Sequence, residues 1–421
     1  MNPAALRLLR QSQFIALALF AFWSNTSIAI SQIFFGISLT CFLILVVAEH
    51  HQPFVKPLRP MYIAIGLFVL WIFFTAALGA TPLRSMWIAK EEWLFLIIPA
   101  GIYAFRDSWK ADTLVLALAA GLTLVSIYGV IQHFTGIYWL KDHFLHRVDH
   151  EEVRLAGFFS HPLTYGNYTA TASLFMVGFV LTSFRRLQGW RRWLVVSAAV
   201  MGPVATAMSN SRGPALALIV GLFIVGLLWR KVHYVLVALV LVVGISMITS
   251  EGLIMRIERK FKVDTQLRYE GGRLFIWYNS LKVIRDHPVF GAGQGNFYYE
   301  YIKHLRPDAP EYRKMAHAHD DMLNIAGISG IPGLILFMVM WVMVVRLLWK
   351  GYRSGWFPDQ RRSLALAGFL ASITFFVSSL TEATFADEEV RQLLMFCWAA
   401  GLAGWYKDES RSENRPVEQT S

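Results

Sequence analysis

The sequence predicts an all-α integral membrane protein, with about twelve transmembrane helices and one large outer loop, because its apolar runs approach the roughly 20 residues that span a bilayer. Three observations carry this reading. Hydrophobic residues make up 56% of the chain and charged residues only 16%, where a soluble domain carries about a quarter charged. Mean hydropathy is +0.46. The runs, such as ALALIVGLFIVGLLW (215–229) and YVLVALVLVVGISMI (234–248), are continuously apolar, whereas the strands of a membrane barrel alternate.

Taken in order, the predicted spans are 12–29, 31–48, 61–79, 87–105, 112–134, 164–183, 193–209, 213–229, 233–250, 321–348, 363–381 and 387–405. The first pair is split only by SNTS, and the fourth span holds Lys90, Glu91 and Glu92 near its start. Arg7 and Arg10 before an apolar stretch resemble the start of a secretory signal, here read as an uncleaved first helix. The organisation expected is residues 1–250 as nine spans, 251–320 as the large outer loop with amphipathic helices, 321–405 as three spans, and 406–421 as a disordered polar tail.

Short loops rich in Lys and Arg stay on the cytoplasmic side. With the N-terminus inside, those loops collect Lys56, Arg59, Arg106, Arg185, Arg186, Arg191, Arg192, Arg230, Lys231, Lys350, Arg353, Arg361 and Arg362 among others. The opposite short loops hold Arg84, Lys90, Lys141, Arg147, Arg154, Arg212 and Arg391. Both termini are therefore expected in the cytoplasm. The net charge of +11 then reflects membrane anchoring and argues against nucleic-acid binding. Cys41 and Cys397 lie inside predicted spans, which gives neither a disulfide framework nor a zinc site.

Polar chemistry gathers on the outer face, where an ionisable group escapes the ~2.5–3.5 kcal/mol it costs at a helix centre. In SNSRGP (209–214), Arg212 is either a snorkelling interfacial arginine or an anion ligand, since a guanidinium and free helix N–H groups together suit a phosphate. GGRLFIWYNSLKVIRDHP (271–288) places Leu274, Trp277, Tyr278, Leu281 and Ile284 at helical spacing, an amphipathic helix for the interface. Arg273 opens that helix, where the dipole disfavours a cation unless an anion or a carboxylate pairs with it. GAGQGNF (291–297) lacks the βαβ surroundings of a dinucleotide site and reads as a glycine-rich turn. GFFSHPLTYGNY (157–168) offers His161 and Tyr165 as possible ligand contacts, and Arg154 precedes it.

AHAHDDMLN (316–324) is the densest cluster. Asp320 or Asp321 can cap the helix that follows. His317 and His319 invite a metal reading, but His-x-His converges only on an extended strand while the following residues read as helix. No second acidic motif accompanies the DDxxN pattern on this face.

The set SRGP, GGRLFIW, HPVFGAGQGNF and HAHDDMLNIAGISGIPG, spread over roughly residues 155–345, resembles the O-antigen ligase superfamily of bacterial polytopic glycosyltransferases. The superfamily includes O-antigen ligases, O-antigen polymerases and protein O-oligosaccharyltransferases, and the compact length looks most like a ligase. The resemblance implies a GT-C-like fold and transfer of O-antigen from undecaprenyl diphosphate to lipid A–core oligosaccharide at the periplasmic face of the inner membrane. In that reading Arg212 and Arg273 bind the diphosphate without a metal or other cofactor. His319 matches the family's histidine and is the candidate general base, and His317 is a possible substrate contact. Asp320 stands where many members have Asn or Ser. The reading of another class is a lipid-linked oligosaccharide transporter, which calls for charged or broken helices near the midplane and internal repeats.

Overall fold

The computed structural model describes residues 1–49, 54–135, 155–229, 244, 272–307 and 314–406. Among these residues there is no strand. The predicted ninth span (233–250, Gly244 apart), Arg154 and the tail from 407 lie outside the described residues.

The chain runs through α1 (Pro3–Trp23), α2 (Ile28–Ala48), α3 (Arg59–Leu78), α4 (Pro82–Ala89), α5 (Ile97–Phe105), α6 (Ser108–Thr135), α7 (Pro162–Ser183), α8 (Gly189–Met208) and α9 (Arg212–Trp229). After the large loop begins, α10 (Arg273–Asp286) and α11 (Phe297–Ile302) precede α12 (Asp321–Arg353), α13 (Asp359–Ser379) and α14 (Glu388–Leu402). Among the described residues, six stretches are long and apolar enough to cross a membrane: Pro3–Trp23, Ile28–Ala48, Lys56–Leu78, Ser108–Thr135, Asp321–Arg353 and Asp359–Ser379. Ile33, Val47 and Leu70 point outward from α2 and α3, which suits a surface solvated by lipid.

Side-chain caps start several helices. Asn2 accepts from the Ala4 N–H at 3.0 Å, and Ser27, the last residue of the SNTS break, accepts from Ile30 at 3.4 Å. The core is formed chiefly by α7 on α8 and α13, α1 on α2, and α12 against α3 and α13. Polar contacts sort the two ends of the bundle. At one end Arg10 pairs with Glu49 at 2.7 Å, Arg186 pairs with Asp112, and Arg361 caps the carbonyls of Phe105 and Arg106. The other end receives the start of α7, α9, α12 and α14 and carries the candidate site.

One predicted span is corrected. The predicted span 87–105 is not one helix: α4 is followed by a 3₁₀ stretch, Lys90–Leu96, and then α5. Its carboxylates explain the break, because Glu92 turns inward to meet the buried Arg391 at 3.2 Å. Helix α10 forms where expected; Tyr278 and Leu281 of its apolar stripe are exposed, and its buried residues are Ile276, Asn279, Ser280 and Val283.

Helix α12 breaks in the GISGIPG stretch. Gly330 adopts φ 73°, a conformation that glycine takes without cost, and its Cα lies against the Val289 carbonyl so closely that a methyl group there would overlap it. Pro332 cannot donate to the helix. The carbonyls that the break releases are all taken up: Ala292 N–H donates to Gly327 at 2.8 Å, Gly293 N–H to Ile328 at 3.0 Å, and Trp71 Nε1 to Ser329 at 2.8 Å. GAGQG is thus a glycine-rich connection that lets one backbone approach another. Asn296, which follows it, accepts from Thr81 Oγ1 at 2.6 Å and ties the stretch to the start of α4.

Candidate functional site

The site is organised by the connection between α13 and α14, residues 380–387. Gly213, next to Arg212 in the first turn of α9, packs directly on the Thr381 hydroxyl. From α10, Arg273 donates Nη1 to the Thr381 carbonyl and Nη2 to Glu382 Oε2, the latter at 3.0 Å. The other Glu382 oxygen, Oε1, is hydrogen-bonded by His319 Nδ1. Thr164 at the start of α7 donates to Asp387 Oδ2 at 2.6 Å, and Ser211 donates to the Pro162 carbonyl at 3.4 Å. Four segments distant in sequence therefore meet on one short loop.

Electrostatics fix the protonation pattern. Burial pushes the Glu382 carboxyl up, yet the His319 hydrogen bond and the Arg273 charge hold it below the usual carboxylate range. Ionised Glu382 can only accept, so His319 Nδ1 carries the hydrogen. The remaining ring nitrogen, Nε2, is then the basic one. His319 itself sits at φ 50°, a left-handed conformation uncommon outside glycine, in which His, Asn and Asp are enriched. Asp320 holds it from the helix side by accepting from the Leu323 N–H at 2.9 Å.

The His317 ring lies 4.3 Å from that of His319, edge to face. Its Nδ1 is buried without a hydrogen-bond partner among the described residues. Burial, with the His319 and His161 charges adding to it against the pull of Glu382, lowers its pKa from 6.5 to about 4. His317 is therefore neutral at pH 7. Above pH 6.5 this contributes nothing to stability; below it the unfolded chain binds a proton that the folded chain refuses. Stability is lost down to about pH 4, by up to about 3 kcal/mol at that end. Between pH 6.5 and 5, wild-type protein in detergent is expected to lose thermal stability more steeply than His317→Gln, and equal slopes would contradict the assignment.

His317, His319 and Glu382 bring one donor atom each within 4.8 Å of one another, a spacing that a cation requires. Two of the three, His319 and Glu382, are already committed, however. His319 holds one oxygen of Glu382, and the Arg273 guanidinium occupies the other, so a metal ion here has to displace the imidazole or sit beside a positive charge. The set fits an ion-paired imidazole better than a metal centre.

Of the residues singled out from sequence, His319, His317 and Arg273 converge on the loop, and Arg212 stands exposed next to Gly213, which packs on Thr381. His161 caps α7 through Nδ1, accepting from the Leu163 N–H at 3.1 Å, and it is close enough to His317 to act on it electrostatically. Tyr165 is a correction: it is fully buried, packed against Phe159 with its hydroxyl 3.5 Å from the Val125 carbonyl, and has no surface to offer a ligand. Glu382 was not anticipated. Its one signal is an acidic stretch, TEATFADEE, on the arginine-poor side with no Lys or Arg within one helical turn of Glu382.

A helical membrane protein with an arginine–carboxylate–imidazole site at one end of its bundle is the class that fold and geometry define. Residues 197–338 match a family model described as O-antigen ligase. The matched segment contains Arg212, Arg273, His317 and His319 but ends before Glu382. No curated protein matches the chain. The match suggests a glycosyltransferase-like activity of the O-antigen ligase or polymerase type.

Proposed function

We propose that the protein is an O-antigen ligase of the bacterial inner membrane. It has about twelve spans in a GT-C-like arrangement, both termini in the cytoplasm and the site facing the periplasm. The donor is undecaprenyl-diphosphate-linked O-antigen and the acceptor is lipid A–core oligosaccharide. The observation that carries the reading is the Arg273–Glu382–His319 chain of contacts beside the Arg212 turn.

The diphosphate is the leaving group, and negative charge grows on its bridging oxygen as the glycosidic C–O bond breaks. Arg212 at the start of α9, with that helix's first N–H groups, offers charge and donors to the diphosphate. Arg273 has five N–H donors, of which only some are engaged by Glu382 and Thr381. The acceptor hydroxyl attacks the anomeric carbon from the opposite side, which inverts the centre, and its proton passes to His319 Nε2. Glu382 orients the ring and stabilises the imidazolium that forms. No metal takes part in this scheme.

Purified protein given lipid-linked glycan is tested with lipid A–core, a second lipid-linked glycan, or a pilin-like protein as acceptor. Modification of lipid A–core, undiminished in EDTA, is the expected result. Modification of the second lipid-linked glycan instead identifies a polymerase, modification of the pilin-like protein a protein oligosaccharyltransferase, and loss of transfer in EDTA restored by Mg²⁺ a metal enzyme. Movement of the lipid-linked glycan across a vesicle membrane without transfer identifies a transporter. In the same assay Arg212→Lys and Arg273→Lys are each expected to transfer about 10–100-fold more slowly, the worth of one charge-assisted hydrogen bond of ~1.5–3 kcal/mol. Full activity in both variants reduces the arginines to interfacial anchors.

A further inference from the structure

Resting on that reading of the site, we infer that Asp321 is a positioning residue that sets Glu382 in register with His319. Asp321 is the first residue of α12, where a carboxylate ordinarily serves the helix N-terminus. The cap, however, belongs to Asp320, which accepts from Leu323. Asp321 turns the other way. It is 1% exposed, and both its oxygens accept from the Phe385 N–H at 3.0 Å while Oδ2 accepts from Thr384 Oγ1 at 3.1 Å.

The result is a pair of cross-links between two chain segments. His319 is joined to Glu382 and, two residues on along each segment, Asp321 is joined to Thr384; both pairs are separated by 63 residues in sequence. The loop side of this clamp is itself fixed. Phe385 is buried against Phe337, with ring centroids 5.0 Å apart, and the Arg391 guanidinium lies 5.4 Å from its ring. The His319 side needs holding because its backbone is left-handed, a conformation that persists only where its surroundings over-determine it. Asp321 connects the fixed segment to the strained one.

Register of this kind affects the chemical step and leaves donor binding alone. Asp321→Asn keeps the shape but replaces one acceptor oxygen by a donor. It is expected to lower kcat about 10–100-fold, with KM for the lipid-linked donor within about threefold, because the loss concerns an interaction needed in the transition state. Thr384→Val, which removes one donor to Asp321, is expected to give a smaller drop of the same kind. Residues acting as one unit are non-additive, so Asp321→Asn combined with Glu382→Gln should be no slower than Glu382→Gln alone. Unchanged kcat in Asp321→Asn, a rise in KM at constant kcat, or multiplicative loss in the double variant would each overturn the inference. If Asp321→Asn does not accumulate in membranes, Thr384→Val combined with Glu382→Gln decides by the same criterion. A His319→Ala protein that still transfers glycan instead defeats the proposed function, which separates the two failures.

Discussion

His319→Ala is expected to reduce glycan transfer by about 10²–10⁴-fold, the usual contribution of a positioned general base, while the protein still inserts and accumulates. The loss should fall on kcat, because the arginines proposed to hold the diphosphate are untouched and Nε2 is needed only as the acceptor hydroxyl loses its proton. Alanine at φ 50° carries a backbone penalty of about 1–2 kcal/mol, so reduced stability alone has to be separated from lost chemistry. His319→Asn does this, since asparagine tolerates the left-handed region and can still donate to Glu382 but provides no basic nitrogen. Both variants should be inactive, and Asn should melt closer to wild type. Reconstituted transfer together with thermal melting in detergent makes the comparison. Near-normal transfer by either variant would remove His319 from the chemistry.

The parts of this molecule legible in the sequence are those encoded by local pattern. Unbroken apolar runs locate the described spans to within a few residues at most ends, and Gly330 with Pro332 marks the place where α12 breaks. Arg212 stands out because it lies between two apolar runs, and Arg273 and His319 because each stands in a recognisable local motif, GGRLFIW and HAHDDMLN. Glu382 does not, because its meaning lies in contacts with Arg273 and His319, 109 and 63 residues away in sequence. Nothing near it records either partner. The docked face of α10 is hidden for a related reason: the protein contact uses Asn279 and Ser280 between Ile276 and Val283, which apolar periodicity does not mark. The same limit applies to Tyr165. An aromatic residue at the mouth of a helix looks like a ligand contact until the small neighbours that receive its ring, Gly129 and Gly157, are placed around it.

Glu382→Gln is expected to slow transfer by about 10²-fold or more, an effect within the range of general-base catalysis itself, although the side chain need not touch substrate. The carboxylate has two partners, and the amide can satisfy only one of them as an acceptor. If its oxygen keeps Arg273 at Oε2, its NH₂ group faces His319 Nδ1, and a neutral imidazole can then bond only by placing its proton on Nε2. That is the wrong tautomer for a base acting through Nε2. If the amide turns over, His319 keeps its partner and Arg273 loses its own. Either outcome costs roughly 1–2 kcal/mol of stability, less than a fully buried pair because Arg273 is partly exposed. The wild-type carboxyl is held below its ordinary 4.5, so its contribution to stability is present above that pH and is lost as acidification passes through the lowered value. Melting of Glu382→Gln should lack that acid-side loss. Glu382→Asp retains the charge but is one methylene shorter. If charge alone matters, Asp restores transfer fully; if the simultaneous reach to Arg273 and His319 matters, it restores little. The geometry favours the second result, since Arg273 from α10 and His319 from the turn before α12 reach opposite oxygens of one side chain. Wild-type rates from Glu382→Gln would instead leave His319 acting without a carboxylate partner.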